Sequence, residues 1–295
     1  MSKFVLYCKS YRTDLLRVER LARSIQKYNK DDIPFHVSVP SSDLDLFKNH
    51  LQNFNAVITA DEEIIKASPR LELQKIQQMP GNLSQQIVKS EFWRLNVAKS
   101  YLCLDSDAIF IRDFHISDFL AGDGFPYSVL DEAHELMDAA LQNGKQRVIQ
   151  SFLTEADTMQ RLFQRTGKRY SFGPFPLVWH RDVWASLEQN YLQPKGMSFH
   201  DAIVTCPIES RWYGEALLAY QAIPLHPSQA FFKVYHYAWQ FDKDTRKGIT
   251  PEQLSSFYCG VIYQSSWERD MDWPEEGGNV LSRFGRRLRR RLGRI

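Results

Sequence analysis

Short apolar runs alternate with segments of helical periodicity over the first 60 residues of the chain. The runs "KFVLYC", "PFHVSVP" and "NAVITA" are rich in β-branched and aromatic residues, which predicts three strands. Between them, "DLLRVERLARSIQKYN" and "SSDLDLFKNHL" predict two helices, the first capped by Thr13 and the second by Ser42 or Asp43. This order predicts an α/β fold of Rossmann-like type, with a mostly parallel central sheet flanked by helices.

No glycine-rich phosphate loop follows the first predicted strand. The corresponding stretch is "CKSYRTD", which lacks the G-x-G-x-x-G spacing of dinucleotide-binding folds, and the chain contains no G-x-x-x-x-G-K-[ST]. The sequence therefore argues against a dehydrogenase-type cofactor site and against a P-loop. The next periodic segment, "LSQQIVKSEFWRLNVAKS", predicts a long helix that leads directly into "YLCLDSDAIFI".

Two aspartates one residue apart, Asp105 and Asp107, lie in this otherwise apolar run. Because ionised carboxylates are costly to desolvate, we interpret Asp105 as the end of a strand at the ligand-binding edge of the sheet. If the chain turns at Ser106, both carboxylates can approach one Mg²⁺ or Mn²⁺ ion, which binds carboxylates together with substrate phosphates and water. The alternative is a simple turn, and the similar pair Asp43 and Asp45 is assigned to helix capping.

The segment "YLCLDSDAIFIRDF" resembles the D-x-D segment of glycosyltransferases with the GT-A fold, in which a hydrophobic strand precedes Asp-Ser-Asp and an apolar stretch follows. More narrowly, the chain resembles a family of uncharacterised bacterial proteins with glycosyltransferase-like sequence. This resemblance covers most of residues 3–240 and also rests on "LYCKSYRTDLLRVERLARSIQKYN", "HVSVPSSDLDLF", "QQIVKSEFWRL" and "ESRWYGEALLAY".

The resemblance implies a nucleotide-sugar donor whose diphosphate is bridged by Mn²⁺ or Mg²⁺ to Asp105 and Asp107. Such a cation would neutralise charge on the leaving nucleoside diphosphate, as a Lewis acid does. The loop after strand one, the D-x-D turn and the helix before the metal strand would also contact the donor. The residues expected to do so are Lys9, Ser10, Arg12, Lys89, Arg94 and Ser106. For each basic residue, the alternative is a solvated helix face.

Enzymes of the GT-A fold often take a further metal ligand from a late histidine. The resemblance therefore implies His236, in "FFKVYHYAWQ", as that ligand, with His226 as a second candidate. Lys233 of the same run is expected to contact the donor phosphates. The alternative for either histidine is a residue whose hydrogen bonds are satisfied within the core.

An inverting transferase needs a base that deprotonates the acceptor hydroxyl. The segment "CPIESRWYGEALLAY" supplies Glu209 and Glu215; the resemblance favours Glu209 in the substrate cleft, and Glu215 is expected in the first turn of a helix "EALLAY". Asp107 is expected to serve catalysis from the metal site. Asp182 and Asp201 are further candidate carboxylates, and a retaining reaction that needs no such base stays open.

The cysteines and the lengths of the apolar runs bear on the cellular location of the protein. Four separated cysteines form no C-x-x-C pair, which favours a reducing compartment and gives no zinc site or disulfide framework. The N-terminus becomes polar too soon for a signal peptide, and no apolar run approaches the roughly 20 residues that span a bilayer. We therefore expect a cytoplasmic protein.

The C-terminal tail "LSRFGRRLRRRLGRI" differs in charge from the rest of the chain. It carries seven arginines, and without them the formal net charge of +2 would be −5, so a nucleic-acid partner is not expected. Its apolar positions share one helix face: Leu281, Phe284, Leu288, Leu292 and Ile295. The pattern is typical of an amphipathic basic helix on anionic lipid, at the inner face of the cytoplasmic membrane. A disordered tail or a nucleic-acid-binding arm is the alternative.

These expectations divide the chain into a nucleotide-sugar-binding half over 1–114, an acceptor-binding half over 115–270, and a linker with the basic tail over 271–295. The leading hypothesis is a metal-dependent glycosyltransferase that moves a sugar to a glycan or glycolipid acceptor, in the synthesis of bacterial surface polysaccharide or lipopolysaccharide. One alternative is a phosphohydrolase of the haloacid-dehalogenase type, although that D-x-D usually lies near the N-terminus and no later G-D-x-x-x-D occurs here. Another alternative is a non-catalytic, membrane-associated scaffold.

Overall fold

The computed structural model describes residues 2–268 together with residues 281 and 285. Its strands, in chain order, are β1 (Ser2–Lys9), β2 (Phe35–Val39), β3 (Ala56–Ala60), β4 (Ala98–Leu104), β5 (Ala108–Phe110), β6 (Tyr127–Val129), β7 (Leu177–His180), β8 (His226–Ser228), β9 (Phe232–Tyr235) and β10 (Gly260–Tyr263). Five of them form a central sheet in the order β3-β2-β1-β4-β7. Strands β1 to β4 run parallel to one another, and β7 pairs with β4 in the antiparallel direction.

Helices cover this sheet and build most of the second half of the chain. They are α1 (Leu15–Tyr28), α2 (Leu44–His50), α3 (Asp61–Lys66), α4 (Leu73–Gln77), α5 (Gly81–Glu91), α6 (His134–Gln142), α7 (Gln146–Leu162), α8 (Arg181–Leu187), α9 (Phe199–Thr205), α10 (Glu209–Tyr220), α11 (Ala238–Arg246), α12 (Pro251–Leu254) and α13 (Ser265–Glu268). Among them, α5 packs against β1, α2 against β3 and α8 against β4.

The central position of β1 explains its apolar sequence. Residues 4–8, "FVLYC", are all buried, because the strand has a neighbour on each side and is covered on both faces. A parallel strand in such a place is apolar throughout and does not alternate with polar residues. The prediction of an α/β fold with a mostly parallel central sheet flanked by helices is confirmed.

The start of the first helix differs by one residue from its predicted cap, and the start of the second agrees with its predicted cap. Helix α1 begins at Leu15 with Asp14 at its N-cap position, so the prediction of Thr13 as the cap is wrong. Helix α2 begins at Leu44 with Asp43 at its N-cap position, as expected, but the Asp43 carboxylate makes no capping hydrogen bond. That carboxylate binds another segment of the chain, described below.

The helix predicted to run through residue 100 is shorter in the structure. Helix α5 ends at Glu91, and a 3₁₀ turn over Phe92–Leu95 follows. Asn96 then adopts the left-handed conformation, with φ 54°, which asparagine tolerates better than most residues. The change of direction releases residues 98–104 into β4, whose end carries the aspartate pair.

The remaining strands form two smaller sheets beside the central one. Strand β10 lies between β5, which is antiparallel to it, and β9, which is parallel to it. Strands β6 and β8 pair in parallel. Because β5 follows β4 after a turn of only three residues, the aspartate pair lies where the chain leaves the central sheet for this smaller sheet.

One buried core extends through residues of both predicted halves. The ring of Tyr101 on β4 meets Trp179 on β7 edge-on, with centroids 6.0 Å apart, and Tyr7 stacks on Phe92 at 3.7 Å. The halves 1–114 and 115–270 thus share a sheet and a core, and their division of labour stays a prediction. The predicted tail helix over 281–295 lies outside the described residues, apart from Leu281 and Gly285. Among the helices that the structure describes, none is both long and apolar enough to cross a bilayer.

Gly260 at the start of β10 provides a test of the packing between β5 and β9. A Cβ atom there would lie 2.1 Å from the Phe232 ring and 2.5 Å from the carbonyl oxygen of Ile109, which is backbone and cannot rotate away. We expect Gly260→Ala to lower the free energy of unfolding by about 1–3 kcal/mol, measured by urea denaturation. Gly122→Ala is the matched control, because its Cβ would meet nothing within 4 Å. Equal stability of the two variants would contradict this packing.

Candidate active site

The parallel strands bring several polar residues to one edge of the central sheet. Lys9 ends β1 and Ser10 follows it, Asp61 follows β3, and Asp105 follows β4. Strands β1 and β4 are neighbours whose registered pair is Cys8 and Leu104, so Lys9 and Asp105 come next to each other at this edge. Strand order reverses between β1 and β4, and open α/β sheets bind ligands in the crevice at such a point.

The chain turns sharply between the two aspartates. The amide of Ala108 donates a hydrogen bond to the carbonyl of Asp105 at 3.1 Å, which closes the turn around Ser106. The Asp105 side chain is 38% exposed. The Asp107 carboxylate accepts a hydrogen bond from the backbone amide of Ser265 through Oδ2 at 2.8 Å. The turn at Ser106 on which the metal-site interpretation depends is therefore present, and a later segment of the chain contacts its second aspartate.

Lys89 of α5 is the buried cation of the site. Its Nζ atom lies 2.6 Å from Oδ1 of Asp105 and 3.5 Å from Oε1 of Glu209, and only 5% of its side chain is exposed. The ring of Phe175 covers the ammonium group, with its centroid 4.6 Å from Nζ. Lys89 thus joins the end of β4 to the first residue of α10.

Burial and charge act in opposite directions on this cluster. Burial disfavours the charged form of Lys89, but Asp105 and Glu209 together raise its pKa well above the ordinary value, so it remains an ammonium. Burial raises the pKa of Glu209, and the nearby Lys89 offsets this only in part. The cluster therefore keeps Lys89 charged in the protein interior, beside a half-exposed carboxylate.

The predicted donor-binding loop after β1 is held by two carboxylates. Lys9 Nζ binds Asp61 Oδ2 at 2.7 Å and the carbonyl of Ser10 at 2.7 Å. Arg12 binds Asp43, through its backbone amide at 2.8 Å and through Nε at 2.9 Å, and these bonds keep the pKa of Asp43 low although burial opposes this. Capping of α2 by the Asp43 side chain was thus the wrong expectation. The buried Ser10 hydroxyl has no hydrogen-bond partner among the described residues.

Two other predicted donor contacts have partners within the protein. Ser106 Oγ donates to Asp14 Oδ2 at 3.2 Å, so it helps to fix the turn between the aspartates. Arg94 contacts Glu91 and lies 2.7 Å from Glu188 through Nη2, with 12% of its side chain exposed. The structure therefore places Arg94 in a separate buried ion-pair cluster.

His236 and Lys233 share a different cavity. It has a volume of about 220 Å³, and Asp131, His134 and Glu135 also line it. Among the residues that the structure describes, no group of three or more His, Cys, Asp or Glu side chains is arranged to hold a metal ion. The structure thus does not group His236 with the aspartate pair, and its role as a metal ligand stays a prediction.

The other candidate residues make local contacts. Glu215 lies in the middle of α10, which begins at Glu209, so its expected place in a first helical turn is wrong; it binds Arg165 at 2.6 Å. Asp201 caps α9 by accepting from the amide of Ser198 at 2.8 Å. His226 binds Asp123 at 2.8 Å. Asp182 lies in the first turn of α8.

The chemistry of the turn suits a hard divalent ion. Asp105 presents a second carboxylate oxygen besides the one bonded to Lys89, and Asp107, bonded through Oδ2 to Ser265, lies two residues further along the same turn. Mg²⁺ and Mn²⁺ prefer oxygen ligands, and Mg²⁺ usually binds through one or two carboxylates while substrate phosphates and water complete its coordination. The residues present therefore fit such an ion in the company of a phosphate-bearing ligand.

A model of one protein family matches residues 4–236 of the chain, which is most of its length. The chain belongs to DUF6492, a family of unknown function. The DUF6492 match includes each site residue described above except Ser265. In shape, the chain is similar to mouse xyloside xylosyltransferase 1 in its apo form, at 6% sequence identity and a TM-score of 0.47, over 89% of this chain and 98% of that chain. No curated protein matches this DUF6492 chain in sequence.

Sequence reasoning missed Asp61, Phe175 and Ser265. Asp61 directly follows a predicted parallel strand, so the rule that directed attention to Asp105 would also have found it. Phe175 lies in the aromatic stretch "SFGPFP", but only its contact with Lys89 distinguishes it from a core residue. Ser265 contributes a backbone amide, and no side-chain pattern reports such a role.

Replacement of Lys89 tests whether its positive charge compensates the buried carboxylate of Glu209. Lys89→Met leaves Glu209 buried without its cation, and we expect a loss of about 3–5 kcal/mol in the free energy of unfolding. The double variant Lys89→Met/Glu209→Gln should recover part of that loss, because no buried charge then remains beside the methionine. Urea denaturation measures both variants.

The control for this prediction is Lys75→Met, which removes an exposed lysine 2.7 Å from Glu72. Its unfolding midpoint should stay close to that of the parent protein, since exposed ion pairs contribute little. A Lys89→Met protein as stable as the Lys75→Met control would show that the cluster is not balanced in this way.

Proposed function

We propose that this DUF6492 protein is a metal-dependent glycosyltransferase, which moves a sugar from a nucleotide-sugar donor to a glycan or glycolipid acceptor. The observation that carries the proposal is the ion pair between Lys89 and the half-exposed Asp105 at the reversal point of the sheet. It places a permanent cation next to carboxylates that suit a divalent ion. A diphosphate leaving group needs this combination of charges, and the resemblance of the Asp-Ser-Asp segment supports the same assignment.

The chain's own residues divide the work as follows. Asp105 and Asp107 would hold Mn²⁺ or Mg²⁺, and the ion would supply Lewis-acid stabilisation to a diphosphate leaving group. Lys89 binds the same anion with its ammonium group, and Phe175 keeps water from one side of that group. Ser10 and the loop from Lys9 to Arg12 bind the nucleotide, with the free hydroxyl of Ser10 as a donor or acceptor.

Glu209 acts in this proposal as a positioning residue. Its side chain is 7% exposed, and its Oε1 atom lies 3.5 Å from Lys89 Nζ. A general base must reach the proton it removes, directly or through one water. Because Glu209 is buried, we assign it the role of holding Lys89 in place. The sequence had favoured a different role, as the base that contacts an acceptor hydroxyl.

The proposal predicts nucleotide binding that depends on both the metal and Asp107. A nucleoside diphosphate with Mn²⁺ should raise the melting temperature by several degrees, since a ligand at 100 times its Kd stabilises a protein by about 2.7 kcal/mol. The Asp107→Asn variant should lose this shift, because it keeps a hydrogen-bond acceptor for Ser265 but removes the charge. Differential scanning fluorimetry with a panel of nucleoside diphosphates, with and without Mn²⁺, measures the effect.

Asp45→Asn is the matched control, because it alters the other aspartate pair of the chain on an exposed face of α2. It should retain the full shift. Indifference of the parent protein to every nucleotide would favour a scaffold without catalysis. Release of phosphate from a panel of phosphomonoesters would favour the hydrolase.

We also propose that the basic tail binds the anionic inner face of the cytoplasmic membrane, where a lipid-linked acceptor of surface polysaccharide synthesis would lie. The support is its sequence, seven arginines around one apolar stripe. Each arginine close to an anionic surface contributes about 1 kcal/mol, so partial engagement already gives measurable binding.

Deletion of residues 281–295 tests the membrane proposal. The full chain should sediment with liposomes that contain anionic phospholipid, and the shortened chain should remain in the supernatant. Neutral liposomes are the control, and raised salt should weaken the binding of the full chain because it screens exposed charges. Unchanged sedimentation after the deletion would refute the role of the tail.

A further inference from the structure

The cavity that contains His236 is built from four segments far apart in the sequence. One wall comes from the end of β6 and the start of α6, another from β9 and the residues before it, and Pro174 and Tyr258 complete the lining. Its volume of about 220 Å³ lies below the roughly 300–1,000 Å³ of pockets for drug-sized ligands, so it suits one small ring. We call it the Asp131 cavity.

The lining of the Asp131 cavity mixes hydrogen-bond donors and acceptors. Asp131 and Glu135 are acceptors, and Lys233 is a donor that lies 3.4 Å from Glu135. His236 can serve in either role, since burial lowers its pKa and leaves the ring neutral near pH 7. A hydroxyl group both donates and accepts hydrogen bonds, so a ring with several hydroxyls matches this lining. The two carboxylates disfavour a phosphate or another anion.

The Asp131 side chain is held in place by its own turn. Ala133 adopts the left-handed conformation, with φ 59°, although it is not glycine, and its amide bonds to the Asp131 carboxyl group. Non-glycine residues in that conformation concentrate at functional sites, where the surrounding structure maintains them. The Asp131 carbonyl accepts two further hydrogen bonds from Ser171, from its amide at 2.8 Å and its hydroxyl at 3.1 Å.

The same segment connects the cavity to the proposed reaction centre. Pro174 lines the Asp131 cavity, and the next residue, Phe175, covers the ammonium group of Lys89. A ligand in the cavity would thus contact Pro174, the neighbour in sequence of the residue whose side chain contacts the proposed donor-binding cation. Both sites thus use adjacent residues of one short stretch of chain.

We propose that the Asp131 cavity binds a neutral, hydroxyl-rich sugar ring of the acceptor, which Asp131, Glu135, Lys233 and His236 hold by hydrogen bonds. This inference rests on the proposed transferase function and names the site and chemical class of its acceptor. It also gives Lys233 and His236 a role in acceptor binding, in place of the donor and metal contacts expected from the sequence.

Saturation-transfer difference NMR with a panel of neutral methyl glycosides tests the proposal. At least one glycoside should receive saturation from the full-length protein. The signal should fall at least fivefold in Asp131→Asn and in His236→Gln, whose melting temperatures are measured alongside to confirm folding. The Asp45→Asn variant is the control and should give the parent signal.

The nucleotide melting-temperature assay on the same samples separates the two proposals. A nucleotide shift without saturation of any glycoside, or with a signal that persists in both cavity variants, overturns the acceptor site alone. A glycoside signal that is lost in the variants supports the site, whether or not nucleotide binds. If the parent protein binds neither nucleotide nor glycoside, both the proposed transferase function and the proposed acceptor site are overturned.

Discussion

The Lys89 ammonium group lies in the protein interior, where an unpaired charge would cost several kcal/mol. Asp105 and Glu209 make that position tolerable, and they come from different parts of the chain: the end of β4 and the start of α10. The aromatic ring of Phe175 closes the remaining side. A strand of the first half, a helix of the second half and the loop before β7 are therefore fixed to one cation.

The first half of the fold could be predicted because its information is local. Each strand there is a short apolar run, each helix has its own period, and parallel neighbours follow from their alternation. The later pairings carry no such signal: β7 joins β4 through residues such as Leu177 and Cys103, which are far apart in the sequence. Helical periodicity also gave the wrong helix end near Asn96. A single left-handed residue ends the helical segment there, and the hydrophobic pattern does not change at that position.

The acidic residues of the candidate site could be predicted from the sequence, but its ion pairs could not. Asp105 and Asp107 stood out because carboxylates are rare in an apolar run. The basic residues were expected to await a phosphate, yet Lys9 binds Asp61 and Arg12 binds Asp43 within the protein. Such pairs join residues that are distant in sequence, so spacing cannot reveal them. They mean that the charges of Lys9 and Arg12 are already compensated, as that of Lys89 is by Asp105 and Glu209, so the half-exposed Asp105 beside Lys89 is the distinctive part of the site.

The contact between Ser265 and Asp107 also affects when the site can form during synthesis of the chain. The central sheet is complete once residue 180 has been synthesised, whereas the amide that holds the second aspartate belongs to residue 265. At about 5–20 residues per second, the two events are roughly 4–17 s apart. During that interval the nascent chain can carry a folded sheet with an unfinished aspartate turn. The site is thus assembled by the last described part of the chain, after the scaffold that carries it.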